Sequence, residues 1–347
     1  MKLTLKQIKQ ITKGAVRFSE DQYGIRLYRF TETQEQLYKE RDLDFYKKTF
    51  ATAGVKILFK TDSKTLFLKA MLKSASSRKY FSFDVFVDEK RIGSLDNFSE
   101  SELQEDYTVQ KFPDGEVSKQ FDLGEGIKTV KVYLPWSYGP IIKEVSLDDG
   151  AFIEPIEMGK KVLMFGDSIT QGYDALRPSN RYAARIAEVM GAEEINKAIG
   201  GETFFPELAE SEEGFVPDYI TVAYGTNDWS KKKRKEAQEN CRAFYRTLSK
   251  KYPDTKIFAI TPIWRKDYQD YRQYGAFEDM IKDIEEAIEG LENVILIHGF
   301  DFVPKDSKYY GDLILHPNDK GFDCYFEGLK KAIKKSIIEK QKRSASS

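Results

Sequence analysis

Two regimes of hydrophobic patterning divide the chain. In the first, apolar residues recur with a period of two: Phe81, Phe83, Val85 and Val87 alternate with Ser82, Asp84 and Phe86, and Val130, Val132 and Leu134 alternate further on. The pattern predicts strands at 55–60, 65–72, 80–87, 130–134 and 142–147, with a hairpin over Val87 to Ile92 and a turn over Pro135 to Pro140. Leu5, Ile8 and Ile11 fit a short amphipathic helix ahead of these strands, and Leu37 to Phe50 a helical or irregular segment with a Tyr/Phe face. No helix of crossover type separates the strands, so their pairing should be mostly antiparallel. Residues 1–154 are therefore expected to form an all-β sandwich of jelly-roll type.

In the second regime, apolar strands alternate with helical segments. Strands are expected over Lys161 to Phe165, Asp218 to Tyr224, Thr255 to Ile260 and Asn293 to Ile297, with a short one just before Asn196. Helices are expected over Arg181 to Met190, Arg234 to Lys250, Ala276 to Glu289 and Asn318 to Ile338. Alternation of this kind builds right-handed βαβ units, hence an α/β/α sandwich around a parallel sheet. It should occupy residues 155–340, followed by a flexible Lys/Arg/Ser tail at 341–347.

At 347 residues, the chain is long enough for two cores. Lys plus Arg total 55 against 56 for Asp plus Glu, interleaved in sequence, so no global field steers it toward nucleic acid or an anionic membrane. No apolar run approaches membrane-spanning length, and the first residues lack a signal-peptide pattern, so a cytoplasmic location is expected. Cys241 and Cys324 fall in expected helices and read as small hydrophobes rather than a disulfide framework.

Candidate chemistry gathers where strands end. The run Val162-Leu163-Met164-Phe165 feeds into Gly166-Asp167-Ser168, which would present a hydroxyl at the carboxyl end of a buried strand, where open α/β sheets bind ligands. Gly-Asp-Ser is also ordinary turn chemistry, so the rest of the chain must supply a base. Only two histidines exist. His298 ends an apolar strand and reads as structural. His316 lies where a loop meets the last helix, fixed between Asp312 and Pro317. Gly200-Gly201 would let backbone N–H groups approach a ligand, and an Asn227 amide at a strand terminus can donate to an oxyanion. Each alone is what turns use; Ser168, Gly201, Asn227 and His316 together share the one sheet edge where they could converge.

These blocks, Gly166-Asp167-Ser168, Gly201, Gly225-Thr226-Asn227-Asp228 and His316-Pro317-Asn318-Asp319, occur in order, and the region from about Lys160 to Lys335 resembles the SGNH (GDSL-type) hydrolases. The β-rich front half resembles that of the two-domain carbohydrate esterases of family 2, on architecture and on stretches such as Tyr133-Leu134-Pro135-Trp136-Ser137. The resemblance implies a flavodoxin-like α/β/α catalytic domain. It also implies Ser168 as nucleophile, His316 as base and then acid, and an oxyanion hole made by the Ser168 and Gly201 N–H groups with the Asn227 side chain. One departure stands out: the family usually has Asp three residues before the histidine, whereas Leu313 is there and Asp312 is four before. Either Asp312 completes a triad or the site is a Ser–His dyad.

No His-Glu-x-x-His run or Cys/His cluster points to a metal, and no cofactor is expected. Trp229, Trp264 and Arg265 follow strand ends and are candidates for stacking on and binding a sugar, or for pocket walls. The expected activity is removal of a small acyl group, acetate foremost, from an acylated carbohydrate or glycoside. The alternatives are a lysophospholipase or thioesterase on the same site, or a carbohydrate-binding protein whose hydrolase half has decayed.

Overall fold

The computed structural model describes residues 1–344, with side chains through Ser336. Two antiparallel sheets form the first half. One orders the strands Thr12–Lys13, Lys56–Thr61, Lys128–Tyr133, Ser82–Val87 and Lys90–Asp96, and the other Arg17–Asp21, Gly24–Tyr28, Ile141–Leu147, Thr65–Met71 and Glu116–Asp122. Their inner faces meet in one core, in which Ile57, Phe59, Phe83, Val85, Val130 and Val132 face Leu27, Leu66, Leu68, Phe121 and Val145. Alternation along each strand makes this possible, since every second side chain points into the same layer. The Ser82–Val87 and Lys90–Asp96 hairpin turns on Asp88 and Glu89, whose φ values of 46° and 68° suit a tight two-residue connection. Asp88 secures the turn by exchanging bonds with Thr129.

Periodicity misses three of the strands longer than two residues. Arg17–Asp21 reads Arg-Phe-Ser-Glu-Asp and Glu116–Asp122 is almost wholly polar; both lie at sheet edges, where charge deters unwanted pairing and erases the alternation signal. Gly24–Tyr28 pairs with the first of them. A second difference concerns the helices Glu32–Arg41 and Leu43–Thr49. Thr31 opens the first in a capping box with Gln34, while Asp42 ends it and caps the second. Although they lie among the strands in sequence, Phe30 and Tyr38 are buried with Phe204, Phe205 and Leu208 of the other half.

That other half is a five-stranded parallel sheet in the order Ala192–Asn196, Lys160–Gly166, Tyr219–Ala223, Lys256–Ile260, Val294–Ile297. Helices Arg234–Lys251 and Phe277–Ile288 cover one face through Cys241, Phe244, Met280 and Ile284. Tyr182–Val189 and Asp319–Ser344 cover the other through Ala183, Ile186, Phe322 and Leu329. The last helix thus continues past the expected tail boundary, and residues 345–347 of that tail lie outside the described residues. The first strand sits inside the sheet and the second at its edge, so strand order reverses beside Lys160–Gly166. In doubly wound folds the ligand crevice opens at such a reversal.

The halves are joined by buried polar contacts. Arg29 is fully buried and spends its guanidinium on the carbonyls of Ala51, Asn196 and Ala198. Burial lowers its pKa to about 9. Both cysteines are unpaired, Cys241 in the core and Cys324 half-buried. Among the described residues, no helix is long and apolar enough to cross a membrane.

Candidate active site

The strand Lys160–Gly166 ends against a one-turn helix, Ser168–Gln171, whose cap is Asp167, accepting from the Ile169 N–H at 2.9 Å. Gly166 is required there, because a Cβ would sit 2.2 Å from Thr170 Oγ1. The tight turn holds the Ser168 hydroxyl 2.7 Å from His316 Nε2. His316 comes from a loop folded back on itself: Gly311 N–H donates to the His316 carbonyl, and Tyr310 bridges Pro317.

Asp312 organises that loop. Its Oδ1 accepts from the backbone N–H groups of Ile314, Leu315 and His316, and its Oδ2 lies 2.6 Å from His316 Nδ1. Leu313 takes the left-handed conformation, φ 61°, which lets an acid four residues back come round to the imidazole. Burial works against the charged form of Asp312, but the bond to His316 and those from the backbone outweigh it, holding its carboxyl well below the usual range.

Asn227 reaches the turn that carries Gly201 through its neighbour Glu202. Asn227 Nδ2 donates to the Glu202 carbonyl at 3.0 Å, which fixes the amide and leaves its second N–H to point elsewhere. Gly201 has φ 89°, a conformation that favours glycine. Lys48 Nζ holds the Gly200 carbonyl at 2.9 Å. Because C=O and N–H oppose one another across a trans peptide, the Gly201 N–H points the other way. Gln171 Oε1 accepts from the Gly200 N–H at 2.8 Å, tying this turn to the helix of Ser168.

The structure does not bring Trp229, Trp264 and Arg265 to the cleft as ligand contacts. Trp229 is fully buried, edge-on to Phe277, with its indole N–H on the Gly275 carbonyl. Trp264 is buried against Tyr310, in the core under the last helix. Arg265 is spent on Asp267 and on Thr226, next to Asn227, where it braces the turn carrying the amide. Large apolar residues after parallel strands pack under the crossover helices, and that burial outweighed their position at the active edge. His298 is exposed beside Glu285, away from the site.

Sequence reasoning missed a ring of residues around His316. Tyr173 lies against the imidazole at 5.5 Å between centroids, and Trp136 backs Tyr173 at 5.0 Å. Asp174 is buried with an oxygen 3.8 Å from His316 Nδ1, and Arg78 Nη2 approaches the same nitrogen at 3.4 Å. An acid six residues after the Ser168 block was the available sign; Arg78, in a Ser-Ser-Arg-Lys stretch of the sandwich, offers none. Deeper still, burial raises Asp167 to about 6 and Asp228 to about 7.

The sequence of this half matches a family. Residues 164–324 match the model of the GDSL-like lipase/acylhydrolase family. No curated protein matches the chain. Among solved structures, the chain resembles a putative GDSL-like lipase from Bacteroides ovatus, with TM-score 0.76, 22% identity and 97% and 98% of the two chains covered. It also resembles a salicylyl-acyltransferase from a tetracycline biosynthetic pathway, at 0.76, 19% and 94% of each chain. A family two carbohydrate esterase from Clostridium thermocellum, solved with cellohexaose, follows at 0.63, 16%, 94% and 99%. These likenesses span both halves, so a parallel-sheet domain preceded by an antiparallel sandwich is a recurring two-part architecture.

Proposed function

We propose that the protein is a serine esterase working through an acyl-enzyme, and that its substrates are acylated carbohydrates or glycosides, acetate being the acyl group removed. One observation carries the chemistry: the Ser168 hydroxyl, His316 and Asp312 form a continuous hydrogen-bonded chain of 2.7 and 2.6 Å. His316 Nε2 takes the proton as Ser168 Oγ attacks the ester carbonyl. The N–H groups of Ser168 and Gly201 and the free N–H of Asn227 hold the oxyanion, with each such donor contributing on the order of 3 kcal/mol to the transition state. His316 then protonates the leaving alcohol, and water, deprotonated by the same nitrogen, releases the acid. Asp312 keeps Nδ1–H bonded and Nε2 free to accept. No cofactor enters these steps.

The carbohydrate part of the reading is supported by the likeness to a carbohydrate esterase over both halves. A second reading, acyl transfer to an alcohol other than water, is favoured by the likeness to an acyltransferase and by the burial of Ser168, which is only 3% exposed. Initial rates on p-nitrophenyl esters from acetate to octanoate, with Ser168→Ala alongside, test the proposal. Acetate preference that vanishes in the variant is expected. A rate climbing with chain length would point instead to a lipid or thioester acyl hydrolase, and no serine-dependent rate on any ester would overturn the esterase reading. Product partition in the presence of acceptor alcohols separates hydrolysis from transfer.

A further inference from the structure

His316 Nδ1 faces two carboxylates. Asp312 Oδ2 bonds to it at 2.6 Å, and Asp174 Oδ2 stands 3.8 Å away. Two negative charges beside one imidazole would stabilise its protonated form and leave Ser168 without a base near neutrality. Between them lies a guanidinium from the other half of the molecule. Arg78 donates through Nε to Asp174 Oδ1 at 2.6 Å and through Nη2 to Asp174 Oδ2 at 3.2 Å. The same Nη2 is 3.4 Å from His316 Nδ1 and 3.9 Å from Asp312 Oδ2.

From these contacts we infer that Arg78, supplied by the β-sandwich, is a positioning residue that cancels the Asp174 charge, so that the His316 imidazole faces the charge of Asp312 alone. The inference rests on the esterase reading above. It also gives the sandwich a role in the chemistry, since the hydrolase half holds both acids but not the cation that balances them.

The surroundings of the pair favour its ionic form. Asp174 is wholly buried, and every contact to its carboxylate comes from a donor: Arg78 Nε and Nη2, and the Tyr80 hydroxyl at 3.0 Å. A carboxyl that only accepts is an ionised one. Burial holds the Asp174 carboxyl above its usual value, against the opposing pull of His316 and Arg78. For Arg78, burial is outweighed by Asp174, which holds the guanidinium charged. Tyr107 donates to the Asp174 carbonyl at 2.5 Å, fixing a backbone in the left-handed region at φ 72°. The groups facing His316 are thus Asp312 from its own loop, Asp174 and Tyr173 from the segment after Ser168, Arg78 from the sandwich, and Asp167 from beneath the serine. With Arg78 present, the Asp312, Asp174 and Arg78 cluster carries one net negative charge, as a lone acid would.

Charge-restoring variants test this. In Arg78→Met, two carboxylates act on the imidazole, and the acid limb of kcat/KM should move to higher pH by about one unit or more. In Asp174→Asn the limb should move the other way. Arg78→Met/Asp174→Asn should return it close to that of the native protein, which loss of a merely structural contact would not do. Because the chain has only two histidines, the imidazole NMR signals of His316 follow the same three shifts whether or not any ester is turned over. Ester turnover that fails while the NMR midpoints move as stated would count against the esterase reading and leave the charge balance standing. Midpoints that stay put in both single variants, or a double variant displaced as far as Arg78→Met, would overturn the inference. Should Arg78→Met not fold, Asp174→Asn and Arg78→Lys decide it: the first must move the midpoint down and the second only slightly up.

Discussion

Asp312 Oδ2 meets His316 Nδ1 at 2.6 Å from a loop in which the two residues stand four apart, one more than the usual family spacing. The extra residue is absorbed by Leu313 in the left-handed region, while three backbone N–H groups on Oδ1 fix the carboxylate. Asp312→Asn keeps an oxygen for those bonds but loses the charge that orients the imidazole. It is expected to lower kcat by about 10²- to 10⁴-fold with little change in Tm. Nearly full activity would mean that a Ser168–His316 dyad suffices.

For the oxyanion hole, Asn227→Ala should cost about 10²- to 10³-fold in kcat with KM nearly unchanged, as expected for a donor used only in the transition state. Gly201→Ala should act through geometry: its φ of 89° is strained for alanine, and the new Cβ would lie 3.2 Å from Lys231 Nζ, which itself holds the Gly201 carbonyl. Steady-state kinetics on a short-chain ester check both, and a change confined to KM would exclude them from the oxyanion site.

Burial of Trp229 turns a ligand hypothesis into a stability one. Trp229→Ala should destabilise the protein by about 3–5 kcal/mol, readable as a lower midpoint in urea. Trp229→Phe should leave KM for any active sugar ester near its native value. A large KM effect from that conservative change would restore a substrate role.

Asp228 gives a pH dependence of stability. Its Oδ1 accepts from Phe204 N–H, and Oδ2 is buried without a partner. Burial raises its pKa to about 7 from an unfolded value of 3.8. A raised acid means the folded state holds the proton more tightly, so the stabilisation is fully present below about pH 4 and is lost as pH rises toward 7. Asp167, raised to about 6, adds in the same direction. Tm should therefore fall between pH 5 and pH 8, and fall less in Asp228→Asn, which keeps an acceptor for Phe204 and cannot ionise. Parallel curves would show that Asp228 does not titrate in this range.

Much of the fold was legible because periodicity is local. Alternation at Phe81 to Val87 and the alternation of strands with helices after Lys160 dictate which faces must be buried, and hence a sandwich followed by a parallel sheet. The blocks at Ser168, Gly201, Asn227 and His316 were legible because strand ends in such a sheet share one edge. What the chain could not reveal by itself were relations between residues far apart in sequence. Edge strands such as Glu116–Asp122 carry no alternation, because one side faces water and charge. Trp229, Trp264 and Arg265 were read from position, whereas packing under the helices fixes where their side chains go. The hand of the loop at Leu313 decides on which side of His316 its acid lies. Arg78 and Asp174, 96 positions apart, meet only because the sandwich docks on the parallel-sheet half. Local pattern determines elements and their order; a buried charge finds its partner only through the tertiary fold, where desolvation makes that partner necessary.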